Sequence, residues 1–218
     1  MITTVIFDLD GTLLDTLEDL KDSLNYVLDL HGMPLRTLDD ARRFLGSGLL
    51  VLLQRATPEG TDKELINEMY EEFRIHYNKH CLDKTGPYEG VLDMLKALHE
   101  KGYKTAIISN KVDSAVKELN TTFFSEYIDV AIGENEKAGI KRKPAPDMAN
   151  KAMELLGVTP EEVVYVGDAE VDLETAAASE LPCISVTWGF RDREYLVAEG
   201  AEIFADTPPE VVERIADF

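Results

Sequence analysis

Cysteine is scarce: Cys81 and Cys183 are the only two, far apart and without a Cys-x-x-Cys or Cys/His cluster around either. Neither a zinc site nor a disulfide framework is expected, and a reduced, cytoplasmic setting fits best. Positive charge is also in deficit, with 22 Lys and Arg against 42 Asp and Glu and a formal net charge of -20. Such a chain repels nucleic-acid phosphates and anionic membranes, so neither is expected as a partner. A phosphate-bearing ligand would need a metal ion or a well-placed lysine. No apolar run approaches the ~18 residues of a membrane span, and Asp8 and Asp10 interrupt what a signal peptide would need as its apolar core. A soluble protein is expected, with its oligomeric state left open. Internal repeats and low-complexity tracts are absent.

What is present is a chain of 218 residues, 44% hydrophobic, long enough for one sizeable core and a smaller second lobe. Residues 3 to 7 read as a short buried strand. Leu17, Leu20, Leu24, Val27 and Leu28 then recur at helical spacing. So do Leu38, Ala41, Leu45, Leu49, Leu52 and Leu53, and after them Leu65, Met69, Phe73 and Tyr77. Beyond Gly86-Pro87 the pattern alternates. A helix from about Val91 precedes a strand YKTAIIS (103–109); a helix after Asp113 precedes IDVAIG (128–133); a helix over Pro146 to Leu156 precedes VVYVG (163–167); a helix around Leu173 to Ala178 precedes CISVTW (183–188). The alternation predicts an α/β fold, a Rossmann-like parallel sheet with helices on both faces. The helical block interrupts it after one strand and is expected to be an inserted, all-helical cap domain. The expected division is a catalytic core of residues 1–14 and 82–218 and a cap of residues 15–81.

Ligands of open α/β sheets sit beyond the carboxyl ends of the strands. The first strand delivers Asp8 and Asp10 there, the next core strand ends in Ser109-Asn110, and VVYVG leads into Asp168 with Asp172 four residues on. Lys143 lies in the basic loop KRKPAPD. Each fragment alone is an ordinary turn, cap or loop. Together they suffice for phosphoryl transfer. Asp8 can attack phosphorus, and Mg²⁺ held by Asp8 and Asp168 can offset the charge of an anion attacking an anion. Asp172 would hold a metal-bound water or Lys143. Lys143 and the Ser109 hydroxyl would engage the phosphoryl oxygens. Asp10, two residues along the strand, would protonate the leaving group and then deprotonate water.

The segments DLDGTLLDT (8–16), ISN (108–110), KPAPD (143–147) and VGDAEVD (166–172) resemble the four motifs of the haloacid dehalogenase superfamily. PYEGV (87–91) and WGFRDRE (188–194) are similar to its phosphoglycolate phosphatase-like branch with a helical cap. The resemblance implies that the Asp10 backbone carbonyl is a further metal ligand. It also implies that Gly11 and Thr12 form the turn coupling cap motion to the nucleophile, and that both join Ser109, Asn110 and Lys143 around the phosphate. Haloalkanoate dehalogenases lack the second acid, so Asp10 favours phosphoryl transfer. Ala169 stands where many relatives have Ser. Leu20 stands where hexose phosphate mutases with this cap have a histidine, and Gly46-Ser47-Gly48-Leu49 lacks their cap-loop arginine, which disfavours a mutase.

Other residues are discounted. His31, His76, His80 and His99 show no ligand pattern and are expected in surface or packing roles. Trp188 is expected at the edge of the core. Gly46, Ser47 and Gly48 either present backbone amides to a substrate carboxylate or break a helix. Lys111 is expected to be solvated. The expected function is a Mg²⁺-dependent phosphatase acting on a small phosphate ester, with 2-phosphoglycolate as the leading substrate. Inorganic pyrophosphate, a nucleotide or a sugar phosphate are the alternatives, as is a non-catalytic phosphometabolite-binding protein.

Overall fold

The computed structural model describes residues 1–46, 48–135 and 139–218. It divides into two compact units, Met1–Leu14 with Pro87–Phe218, and Asp15–Gly86. In the larger unit a six-stranded sheet has the order β5-β4-β1-β6-β7-β8. The strands are β1 (Thr4–Phe7), β4 (Lys104–Val112), β5 (Val130–Glu134), β6 (Val163–Gly167), β7 (Cys183–Val186) and β8 (Ile203–Ala205). All neighbouring pairs are parallel. Alternate side chains leave a strand on opposite faces, and here both faces are buried. Val5 and Phe7 of β1 enter a core with α5 (Val91–Glu100), α6 (Asp113–Phe123) and α10 (Pro208–Ile215). Ile6 enters the other core, with α7 (Asp147–Leu156) and α8 (Glu170–Ala178). Fully burying a side chain such as Phe7 contributes about 1.5–3 kcal/mol.

The alternation of strands and helices after residue 86 is thus the doubly covered parallel sheet expected. Beyond the last expected strand three elements were not anticipated: α9 (Arg193–Ala198), β8 and α10. The first two are too short to carry a readable period. A second difference matters for the site. The strand expected to stop at Ser109-Asn110 runs on to Val112, with a register irregularity: Ser109 faces Gly133, yet Val112 faces Glu134. Such bulges re-aim side chains.

The smaller unit contains α1 (Leu17–Leu30), α2 (Leu38–Phe44), α3 (Leu49–Ala56) and α4 (Lys63–His80). The apolar positions read at helical spacing in α1 are all buried, as are Met69, Phe73 and Tyr77 of α4. The run from Leu38 to Leu53 is broken into α2 and α3, where Gly46 and Gly48 both take positive φ. The histidines pack: His31 meets Glu72 at 2.7 Å, and His76 bonds Ser23 and stacks between Tyr26 and His80. Strands β2 (Leu14–Asp15) and β3 (Gly86–Pro87) pair where the chain crosses from one unit to the other.

The smaller compact unit runs to Gly86, and Asp19, buried in α1, ties its last residues to that helix. Its Oδ2 accepts the backbone amides of Lys84 and Thr85 at 3.0 and 2.9 Å and the Thr85 hydroxyl at 2.8 Å. Removing the acceptor leaves buried donors unsatisfied, at about 1–3 kcal/mol. Asp19→Ala is therefore expected to lower stability by that amount in urea unfolding.

Candidate active site

Asp8 follows β1 directly, and its backbone amide continues the parallel ladder by donating to Val166 O at 2.9 Å. The chain then folds back on itself, with the amides of Leu13 and Leu14 both donating to Leu9 O. Gly11 permits this turn at φ +91, and a Cβ there would lie 2.4 Å from Asp168 Oδ2. The turn delivers the Thr12 hydroxyl, which donates to Asp168 Oδ1 at 3.2 Å. From the other side the Phe190 amide donates to Asp168 Oδ2 at 2.6 Å. Gly189 allows that approach, since a Cβ there would sit 2.4 Å from Asp168 Cβ. Asp168 is thus fully buried and held at both oxygens.

Lys143 reaches into the same place. Its Nζ lies 2.7 Å from Asp8 Oδ1, 2.7 Å from Asp172 Oδ1 and 3.3 Å from the Tyr165 hydroxyl. Tyr165 donates in turn to Asp172 Oδ1 at 2.9 Å. Asp172 Oδ2 accepts the amides of Asp168 and Ala169, each at 3.1 Å. Asp172 therefore caps α8 by itself, because Ala169 at the N-cap has no side-chain acceptor. The Asn110 amide group bonds the Lys143 backbone, accepting from N at 2.7 Å and donating to O at 3.2 Å, so it positions the lysine loop.

Carboxylate oxygens of Asp8, Asp168 and Asp172 lie within 4.8 Å of one another, all buried. Burial raises the Asp8 pKa well above the ordinary value, Lys143 offsets part of this, and the charges of Asp172 and Asp168 add to it. Burial and then Asp172 push Asp168 up to about 7. For Lys143 burial opposes the charge, but Asp172 and Asp8 outweigh it and hold the ammonium. The cluster carries more negative than positive charge in a buried place, so its oxygen donors suit a hard divalent cation.

Asp10 stands beside this cluster. Its Oδ2 receives the Ser109 hydroxyl at 3.4 Å, and its Oδ1 lies 3.1 Å from Lys111 Nζ. Lys111 is not solvated, contrary to expectation: its side chain is 7% exposed. The register irregularity after Ser109 turns it inward, a long-range effect that Ser-Asn-Lys does not announce. Trp188 packs against the core as expected and donates Nε1–H to Thr12 O at 3.0 Å. Tyr165, Gly189 and Phe190 were not foreseen. Tyr165 left a signal, since a phenol in an otherwise aliphatic buried strand needs a polar partner. Gly46 and Gly48 belong to the smaller unit, Gly48 as the N-cap of α3, and Ser47 lies outside the described residues.

A family model described as haloacid dehalogenase-like hydrolase matches residues 5–186. Phosphoglycolate phosphatase of Aquifex aeolicus is 32% identical over 187 residues, covering 85% of each chain. Pyrophosphatase PpaX of Halalkalibacterium halodurans is 32% identical over 196 residues, covering 89% of this chain and 88% of its own. The crystal structure of a proposed phosphoglycolate phosphatase from Lactobacillus delbrueckii superposes with a TM-score of 0.93 at 38% identity, over 98% of both chains. The chain belongs to the haloacid dehalogenase-like hydrolase family and is a phosphatase of its phosphoglycolate phosphatase-like branch.

Proposed function

We propose that the protein hydrolyses a small phosphorylated metabolite, 2-phosphoglycolate in the first instance, through an aspartyl phosphate on Asp8 with Mg²⁺ as the cofactor. The observation that carries this reading is the buried Asp8 carboxylate, 2.7 Å from the Lys143 ammonium and within a cluster with Asp168 and Asp172. Asp8, Asp168 and the Asp10 carbonyl would hold the ion. Asp172 is already engaged by two amides, Tyr165 and Lys143. The chemistry that bound Mg²⁺ supplies is charge neutralisation on the phosphoryl oxygens.

Lys143 engages Asp8 Oδ1, which leaves Oδ2 for attack on phosphorus. As the bond to the leaving oxygen breaks, Asp10 gives that oxygen a proton. Lys143 stays charged against its burial because Asp172 is fixed beside it, so it meets the phosphoryl oxygens as a preset cation. Asp10 then removes a proton from the water that attacks the acyl phosphate, and inorganic phosphate and the Asp8 carboxylate result. Pyrophosphate is a second candidate substrate, since the relative named pyrophosphatase is as similar as the one named phosphoglycolate phosphatase.

A panel of phosphorylated metabolites should give phosphate release with 2-phosphoglycolate or pyrophosphate foremost, and Asp8→Asn should abolish it. Wild-type-like turnover by that variant would overturn the mechanism. EDTA should stop catalysis and Mg²⁺ restore it, with Ca²⁺ a poor substitute because it favours more ligands at longer distances; equal rates with both ions would count against Mg²⁺ geometry. Asp10→Asn should retain the first step with p-nitrophenyl phosphate, whose leaving group needs little proton donation, and lose the second. The expected result is a burst of p-nitrophenol and a phosphoryl group on the protein by intact mass. A uniform slowing without burst or phosphoprotein would sink the division of labour between the two acids.

A further inference from the structure

The site holds a second buried lysine that the phosphoryl chemistry above does not use. Lys143 pairs with Asp8, and Lys111 pairs with Asp10. The two lysines therefore divide along the reaction axis, Lys143 at the nucleophile and Lys111 at the acid that serves the leaving oxygen. We propose that Lys111 selects substrates whose leaving group carries its own negative charge close to the scissile oxygen: a carboxylate one methylene away, or a second phosphate. The inference rests on the phosphatase reading and on Asp10 facing the leaving group.

Three observations support it. Burying an ammonium is costly unless an anion compensates it, so a lysine with a side chain 7% exposed belongs to an anion site. Its backbone is fixed, because the Lys111 amide donates to Ser109 Oγ at 3.1 Å and Asn110 is clamped to the Lys143 backbone on the adjoining residue. Finally, the Asp10 Oδ1 it faces is buried and takes no aligned hydrogen bond among the described residues. The attraction between Asp10 Oδ1 and the ammonium is coulombic, and a substrate anion entering next to Asp10 can share it. A group hydrogen-bonded to Asp10 lies within roughly two hydrogen-bond lengths, about 6 Å, of Lys111 Nζ. That reach covers a carboxylate or phosphate adjacent to the ester oxygen and excludes a distant one.

The test compares wild type, Lys111→Met and Lys111→Arg on 2-phosphoglycolate, pyrophosphate, ethyl phosphate (a methyl in place of the carboxylate) and p-nitrophenyl phosphate. Losing a charged contact made to only one substrate should lower the kcat/KM ratio of 2-phosphoglycolate to ethyl phosphate by about tenfold or more in Lys111→Met. The loss should lie mainly in KM, and Lys111→Arg should retain most of the ratio. A parallel fall with pyrophosphate identifies the second phosphate as an equivalent anion; a fall with 2-phosphoglycolate alone assigns the site to carboxylates. Thermal unfolding checks that the variants fold, and Lys111→Gln repeats the comparison if Lys111→Met does not. An unchanged ratio, with both esters affected alike, overturns the assignment of Lys111 while leaving the phosphatase reading intact. No hydrolysis of any of the four by wild type overturns that reading and this inference with it.

Discussion

The buried contact of one ammonium with two carboxylates, Lys143 with Asp8 and Asp172, organises the rest of the site. Breaking a buried pair by deleting one partner costs about 3–5 kcal/mol, so each member demands the others. The carboxylates around it are not equivalent. Asp172 is engaged by two backbone amides, a phenol and the lysine, whereas Asp168 accepts one amide and one hydroxyl, a single bond at each oxygen. Among the described residues the Asp8 carboxylate takes one bond, from Lys143. The carboxylate with the fewest hydrogen bonds among the described residues is also the most exposed of the three, at 6%.

Sheet register explains how residues so far apart in the chain meet. Phe7 pairs with Val166, so Asp8 emerges opposite Gly167 and one residue before Asp168. A Cβ on Gly167 would lie 2.3 Å from Asp172 Cγ, so the missing side chain is what admits Asp172 beneath the strand end. On the other flank Ile107 pairs with Phe7, which brings Ser109 alongside Asp10. Parallel strands with covered faces leave their carboxyl ends as the open position, and the chemistry collects there.

Much of this was legible beforehand, and for identifiable reasons. Helical spacing at Leu17, Leu20 and Leu24 and the aliphatic run VVYVG are local consequences of which face is buried. Asp8, Asp10, Asp168 and Asp172 stood out because carboxylates at the ends of apolar strands run against burial cost. Lys111 did not stand out, because its direction depends on a bulge whose partner strand lies some twenty residues further on. Nor did Phe190, which contributes a backbone amide, a group every non-proline residue carries.

The sequence by itself determined the element types, the alternation that becomes a parallel sheet, and the set of acids and the lysine available for phosphoryl chemistry. These follow from periodicity and residue chemistry, which act over one to four positions. Only the tertiary structure decided how the partners are shared: Asn110 to the Lys143 backbone, Lys111 to Asp10, and the Phe190 amide to Asp168. Those pairings depend on strand register and on loops crossing between strand ends. They join groups distant along the chain through burial and hydrogen-bond geometry, which leave no period to read.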